Sequence, residues 1–340
     1  METLGIAKRL DEEAKGRIKI WPAKSNRASS LGRPCIRYHV LRRTRWNEMR
    51  AHDLGLQRVF DEGVAQEKIV LQRLMAIGVE VLEQQRAFRV PPRCQGCGHF
   101  RDMFQTTAAC PECGTDDWYD YQITGHIDGM VDDGMGYHIP LEIKSMSPWA
   151  FNTLYSAEDL VETMLAGPPH HQTYPPQLLL YMKFTGKPRG AWLFKEKLAG
   201  RHHDPVIYLS PHEHIIEGLL DKARVINDHI EQKTEPDPIN DYSICSACGF
   251  NHICLPGHEG KQAIMDAELE WYVDEKRKRE DSIRDVKAEI RALEDEIKER
   301  TKGREEMIIS GKYRCVPRTV NVKPREGYSY TKYEFQNATE

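Results

Sequence analysis

The sequence predicts an α/β fold, a mixed sheet flanked by helices with two small cysteine-bearing additions. Three observations predict it. Short segments of β character fall near 80–90, 117–131 and 136–145, and again at 191–194 and 206–209. Apolar residues at helical spacing fill stretches between and beyond them, at about 55–78, from Tyr174 onward, and from 211 to about 233. Helices and strands mixed in this way read as helices packed on a sheet. Eight of the nine cysteines also fall into two sets of four.

The elements follow in order. Residues 1–54 form a basic, helical region that carries Cys35. The helix over 55–78 is amphipathic through Ile69, Val70, Leu71, Leu74 and Met75, and stops before Gly78. Asp132, Asp133 and Gly134 signal a hairpin turn between two strands. A variable segment begins at Pro148, and residues 167–171 form a loop. Pro175 and Pro176 suit the first turn of a helix, so one starts near Tyr174. The helix over 211–233 places Ile215, Ile216, Leu219, Leu220 and Ile226 on one face. These elements make a core over 55–238, interrupted by an insertion at 91–116 and followed by a cysteine loop at 239–258. The remainder, 259–340, predicts a long helix over about 262–303 and strand-like stretches at 311–322 and 328–333. In that helix Ile283, Val286, Ile290, Leu293 and Ile297 repeat at 3,4,3,4. Such a row either pairs with another helix or packs on its own protein, and the second is the expectation here.

Charge is unevenly distributed. The formal net charge is −4, yet residues 1–50 hold thirteen Lys/Arg against five Asp/Glu. Arg33, Arg37, Arg42, Arg43, Arg45 and Arg50 lie there beside Tyr38 and Trp46. Arginines with interleaved aromatics either track a phosphate backbone or line an ordinary solvated helix face. The N-terminal residues lack the apolar stretch of a signal peptide. No run approaches the ~18 apolar residues of a membrane span, so the sequence predicts a soluble, cytoplasmic protein. It contains no Gly-x-x-x-x-Gly-Lys motif and so no ATP-driven motor of that kind.

Two short strand-like segments carry the strongest chemical signal. Gly125-His-Ile-Asp128 ends in an aspartate, and Leu141-Glu142-Ile143-Lys144 follows after a turn. Residues two apart in a strand share a face. Glu142 and Lys144 therefore project together, Ile143 points into the core, and Asp128 converges from the neighbouring strand. Carboxylates hold a hard cation such as Mg²⁺ or Mn²⁺, and a lysine offers charge to a phosphate or an attacking water. That is the outline of metal-assisted phosphodiester hydrolysis. His126 lies two before Asp128, on the same strand face. Gln177 and Tyr181, at i and i+4, share a helix face.

The cysteines form a second line of inference. Cys94, Cys97, Cys110 and Cys113 make two C-x₂-C knuckles twelve residues apart, each close to glycine. Four thiolates close a tetrahedral shell, so this set predicts a structural Zn²⁺ that substitutes for a core in a short inserted ribbon. The second set is Cys35 with Cys245, Cys248 and Cys254. By spacing alone it fits a second zinc site, an iron–sulfur site or buried apolar cysteines. Cys315 is left over as a strand residue.

In order, these pieces resemble the PD-(D/E)xK nuclease superfamily and, within it, the RecB-like iron–sulfur exonuclease branch. The resemblance rests on a helix with Gly63, Gln66 and Glu67, the Gly-x-x-Asp strand ending at Asp128, Glu142-x-Lys144, and Gln177-x-x-x-Tyr181. Gln66 stands where many members have histidine, while Glu67 fits the glutamate variant of bacteriophage exonucleases. The branch includes the Cas-associated nuclease of CRISPR adaptation and AddB-type repair nucleases. It implies a restriction-endonuclease-like core. It also implies a catalytic set of Asp128, Glu142, Lys144, Glu67, Gln177 and Tyr181, with the cation held by Asp128, Glu142 and the Ile143 carbonyl and with Glu67 near a second metal position. One cysteine before the core and three after it imply a 4Fe-4S cluster on Cys35, Cys245, Cys248 and Cys254. The activity implied is a DNA exonuclease acting on linear or single-stranded DNA in recombination, repair or phage DNA processing, with 5′ to 3′ polarity. The alternatives are a nuclease of CRISPR spacer acquisition and a DNA-end-binding module that does not cleave. A recombinase or helicase partner and self-association are compatible with each.

Overall fold

A computed structural model of the chain describes residues 4–102, 106–239, 241–254, 267–302, 307–309 and 313–315. The chain divides into two units, Met1–Ala267 and Glu268–Glu340. The first begins with helices α1 (Ile6–Arg17), α2 (Ala28–Leu31), α3 (Ile36–Thr44) and α4 (Leu54–Ala76), and a two-residue strand β1 (Asn26–Arg27) precedes α2. Strands β2 (Val81–Leu82), β3 (Arg86–Arg89), β4 (Arg93–Cys94), β5 (Trp118–Tyr119), β6 (Ile123–Ile127), β7 (Gly129–Asp132) and β8 (His138–Met146) follow. After α5 (Pro148–Tyr155), α6 (Leu160–Leu165) and α7 (Tyr174–Phe184) come β9 (Arg189–Glu196), β10 (His202–His203) and β11 (Val206–Tyr208). Helices α8 (Glu213–Glu231), α9 (Tyr242–Cys245) and α10 (Asn251–Cys254) end the unit.

The main sheet has six strands in the order β10-β9-β8-β7-β2, with β11 also on β9. Only β8 and β9 run parallel in it; the other pairs are antiparallel. A second sheet has the order β1-β6-β3, with β1 parallel to β6. The fold is thus mixed α/β, with mixed sheets flanked by helices.

Alternation along β8 and β9 divides the core in two. Ile139, Leu141, Ile143, Ala191 and Leu193 join Val70 and Leu71 of α4 in one apolar cluster. Met146, Trp192 and Phe194 face the opposite way, into a larger cluster with Leu178, Tyr181 and Met182 of α7 and Ile216, Leu220 and Ile226 of α8. Helix α4 is both started and stopped by local chemistry. Asp53 caps α4 by accepting from the Leu56 N–H at 2.8 Å. Gly78 ends it with φ of +81°.

The predicted strand over 80–90 is two short strands on different sheets. The chain turns between them at Glu83 and Gln85, which take φ of 50° and 55°. The segment from Pro148, read as variable, folds into α5 and α6. Ser147 caps α5 from its side chain, and Asp159 caps α6. The N-terminal region also holds β1, which pairs Asn26 with Ile123 and Arg27 with Thr124. Local sequence gave no sign of it because a two-residue strand has no periodicity.

In the second unit α11 (Ala267–Thr301) spans most of the predicted helix. Residues 262–266 and 303 of that prediction, residues 311, 312 and 316–322 of the first strand-like stretch, and the stretch 328–333 lie outside the described residues. Strands β12 (Met307–Ile309) and β13 (Tyr313–Cys315) pair antiparallel, so Cys315 is a strand residue as expected. The row Ile283, Val286, Ile290, Leu293 and Ile297 is exposed along its whole length, between 47 and 64 %. Ion pairs such as Lys276–Glu280 and Arg279–Glu275 run along the same helix. Among the described residues no helix is long and apolar enough to cross a membrane.

Gly125 marks a close approach between the second sheet and α7. A Cβ there would lie 2.7 Å from the Tyr181 hydroxyl and 3.3 Å from the Ala28 Cβ. Gly125→Ala should therefore cost about 1–3 kcal/mol through overpacking. A chemical-denaturation midpoint equal to that of the unsubstituted chain would refute the close contact.

Candidate functional site

Asp128 sits between β6 and β7, where the chain leaves the second sheet and enters the main one. The β7–β8 ladder ends at Gly129 opposite Leu141. Beyond that point the edge of β8 lacks a strand partner, and Asp128 takes its place: its Oδ2 accepts from the Ile143 N–H at 2.9 Å. The N–H and C=O of one strand residue point to the same edge, so the Ile143 carbonyl also faces this end of the sheet. The Ile143 side chain is buried in the α4 cluster, as the alternation predicts.

Glu142 and Lys144 project together. The Lys144 Nζ donates to the Glu142 Oε1 in a close ion pair. Glu142 has a side-chain exposure of 1 %, Lys144 of 23 %. The Glu142 Oε2 is buried without a hydrogen-bond partner. Such an oxygen is costly to leave unpaired. Burial pushes the Glu142 carboxyl up to about 8, against the pull of the Lys144 ammonium. Burial alone would lower Lys144, but the Glu142 and Asp128 carboxylates outweigh it and raise the amine above its usual range. The Lys144 Nζ also lies 5.3 Å from the centre of the Tyr174 ring.

Glu67 reaches the same place from α4. Its Oε1 accepts from the Gln85 side-chain amide at 2.8 Å, and that amide also lies 3.4 Å from the Asp128 Oδ1. Burial and then the Asp128 charge raise the Glu67 carboxyl. Gln66, its neighbour, accepts instead from Lys195 of β9. Gln177 and Tyr181 share a face of α7 and are both buried. The Gln177 amide donates to the Tyr181 hydroxyl at 3.2 Å, which donates to the His126 carbonyl at 2.8 Å. This pair braces the strand that ends at Asp128. The His126 side chain is exposed.

The chemistry of the donors fits a hard divalent cation. Carboxylates from α4, the β6–β7 junction and β8 lie near enough to act on one another's charge, beside a carbonyl-bearing strand edge, though their oxygens do not all come within 4.8 Å of one another; one buried oxygen is unclaimed. Sequence reasoning missed Gln85. No motif flags it, and its only signal is a polar residue in a tight turn.

The two cysteine sets differ. Cys94, Cys97, Cys110 and Cys113 bring all four sulfur atoms within 4.8 Å of one another. The Cys94–Cys113 and Cys97–Cys110 separations are 3.5 and 3.6 Å. The edge of a zinc tetrahedron is about 3.8 Å, from Zn–S bonds of ~2.3 Å. The two knuckles are alike: Gly98 and Gly114 take φ of +80° and +78°, and each donates its N–H to the first cysteine of its knuckle. The ribbon hangs from β4 and β5, which pair Cys94 with Trp118. It is fastened to α8 by Arg93, which donates to Glu217 at 2.8 Å.

Cys35, Cys245, Cys248 and Cys254 line one cavity with Tyr38, Leu41 and Phe250. Among the described residues, the four-cysteine ribbon is the group whose ligand atoms all meet within 4.8 Å. The second set is more open. Burial raises the Cys245 and Cys248 thiols, Cys248 to about 11.

The basic N-terminal segment is largely engaged within the fold. Arg43 donates to Asn227 and Gln122. Arg45 pairs with Glu48 and Glu235, and Arg37 with Glu235. Arg42 and Arg27, with Ser25, Ser29 and Ser30, line a pocket of about 120 Å³ that no carboxylate enters.

No family model matches the chain, and no curated protein is similar to it. Among solved structures it is similar to SSO0001, at 13 % identity and a TM-score of 0.41, over 74 % of this chain and 96 % of that one. It is also similar to the alkaline exonuclease LHK-Exo from Laribacter hongkongensis, at 14 % identity and a TM-score of 0.34, over 65 % of this chain and 93 % of that one. A second structure of LHK-Exo, in complex with dAMP, is similar at 14 % identity and a TM-score of 0.34, over 62 % and 89 %. At these levels the similarity says nothing about which residues act or on what substrate.

The buried Glu142 carboxyl predicts a pH signature. Its ordinary value is 4.5 and the folded value about 8. Between the two the fold binds more protons than the unfolded chain, so stability should fall as pH rises through that window. In EDTA the melting temperature should drop from pH 5 to pH 8 more steeply for the unsubstituted chain than for Glu142→Gln. Parallel curves for the two proteins would remove Glu142 as the cause.

Proposed function

We propose that the chain is a divalent-cation-dependent DNA exonuclease of the PD-(D/E)xK type, with a restriction-endonuclease-like core. The observation that carries the reading is the convergence of Asp128, Glu142, Lys144 and Glu67 on one end of the sheet, where the buried Glu142 Oε2 has no partner. Asp128, Glu142 and the Ile143 carbonyl would hold Mg²⁺ or Mn²⁺, with Glu67 at its border. When bound, such a cation supplies Lewis-acid stabilisation of phosphoryl charge. Lys144 orients the attacking water and faces the scissile phosphate with a charge that its two carboxylate neighbours keep in place. Gln177 and Tyr181 act through the backbone, by holding the His126 carbonyl and hence the Asp128 strand. The pocket lined by Arg27 and Arg42 offers uncompensated positive charge to a backbone phosphate. Action at DNA ends, and 5′ to 3′ polarity, rest on the family resemblance alone.

End-labelled linear DNA with Mn²⁺ should be shortened from its ends while a circular form survives. Lys144→Ala should slow cleavage about 10²–10³-fold, the loss typical of removing one preorganised electrostatic group, with DNA affinity nearly unchanged. Full cleavage by a Lys144→Ala, Glu142→Ala double variant would dismiss the assignment.

The cysteine sets complete the proposal. Cys94, Cys97, Cys110 and Cys113 would hold Zn²⁺, since their spacing is that of a single-ion tetrahedron. Cys35, Cys245, Cys248 and Cys254 would hold a 4Fe-4S cluster. Their wider arrangement around one cavity suits a ligand larger than one ion. Protein prepared without oxygen should be brown and contain one zinc with about four iron and four sulfide. Two zinc with no iron or sulfide would overturn the cluster.

A further inference from the structure

Gln85 belongs to none of the motifs that mark the site, yet it joins two of its carboxylates. It lies in the turn between β2 and β3, on the surface, with φ of 55°. Left-handed backbone is unfavourable for a residue other than glycine, and it persists where the surroundings impose it. Here it accompanies an exposed side chain that returns into the site. The amide donates to the Glu67 Oε1 at 2.8 Å and lies 3.4 Å from the Asp128 Oδ1. Ionised carboxylates only accept, so the NH₂ end must face them, one hydrogen for each. Glu67 rides on α4 and Asp128 on the β6–β7 junction, and like charges on separate elements repel. An amide with two donors offsets that repulsion and fixes their spacing.

We infer that Gln85 is a positioning residue that holds Glu67 beside Asp128 so that both carboxylates face one divalent cation. The inference rests on the proposed cation site and adds to it a residue that acts through Glu67. It explains why the turn adopts a conformation better suited to glycine.

The test uses the full chain and Mn²⁺ itself, followed by electron paramagnetic resonance of the free ion. Gln85→Gly removes the donors while suiting the backbone, and circular dichroism checks that the fold is kept. Mn²⁺ affinity should fall roughly 10- to 100-fold, the range for loss of a group that orients metal ligands. In a Glu67→Ala background the same substitution should have no further effect, since the residue it acts through is gone. Unchanged affinity in the Glu67 background of the natural sequence, or an equal loss with and without Glu67, would overturn the inference. If the unsubstituted chain binds Mn²⁺ no better than Asp128→Asn, the proposed cation site itself falls, and that result is distinct from the other two.

Discussion

The hydrogen bond from the Ile143 amide to the Asp128 carboxylate fixes where the two sheets meet. At Gly129 the ladder to β8 stops, and a buried amide beyond it would be left without a partner. A side-chain carboxylate fills that position in place of another strand. The chain can then turn away into β6 and pair with β1 and β3. Two glycines make the junction dense enough to work. A Cβ on Gly129 would collide with the Val81 side chain, and one on Gly125 would displace the Tyr181 hydroxyl. The structural link and the candidate chemistry thus use the same carboxylate: one oxygen holds the fold while the other faces Gln85 and Glu67.

Much of the site was legible because its geometry is local. The two-residue period of a strand places Glu142 beside Lys144 and sends Ile143 the other way, and α4 covers that opposite face. The ribbon was legible for the same reason, since knuckle spacing and glycine set the ligand positions within a few residues. What could not be read depends on contacts between distant segments. The N-terminal arginines show this. Their density suggested a phosphate track, but Arg43 meets Asn227 and Arg45 meets Glu235, nearly two hundred residues away. Gln177 and Tyr181 were placed on one face correctly. Only the packed structure shows that the hydroxyl is spent on the His126 carbonyl. The two turns of α5 and α6 depend on Ser147 and Asp159 as caps, signals too short to weigh against the proline and glycine nearby.

The two cysteine sets illustrate the same distinction in energetic terms. The ribbon closes a short loop and organises a segment with almost no core of its own. Cys35 and the Cys245–Cys254 group instead come together across the entire sheet-bearing region, with Cys35 at the start of α3 and the others on and between α9 and α10. A ligand tying together segments so far apart would remove more freedom from the unfolded chain than one in the ribbon, by a gain that grows only slowly with loop length. The raised Cys245 and Cys248 thiols oppose ligation until protons are released. With the proposed metals bound, the two sites would differ in what they secure, the ribbon a local surface and the second set the closure of the unit.

The carboxylate site is assembled from features that each weaken the fold. Glu142 is buried with one oxygen unpartnered. Glu83 and Gln85 hold left-handed backbone without being glycine. Gly125 and Gly129 give up side-chain packing where the buried Tyr181, Ala28 and Val81 crowd the strand. Two apolar clusters, one on each face of the main sheet, supply the compensating burial. Their completeness is what lets the strained end of the sheet persist. A positive charge at the carboxylates would relieve the same features: it would satisfy the idle oxygen, lower the raised acids and reduce the repulsion that Gln85 now offsets. Lys144 already does part of this for Glu142, and its single charge serves three carboxylates. That remaining imbalance, rather than any single motif, is the physical argument for a cation at this position.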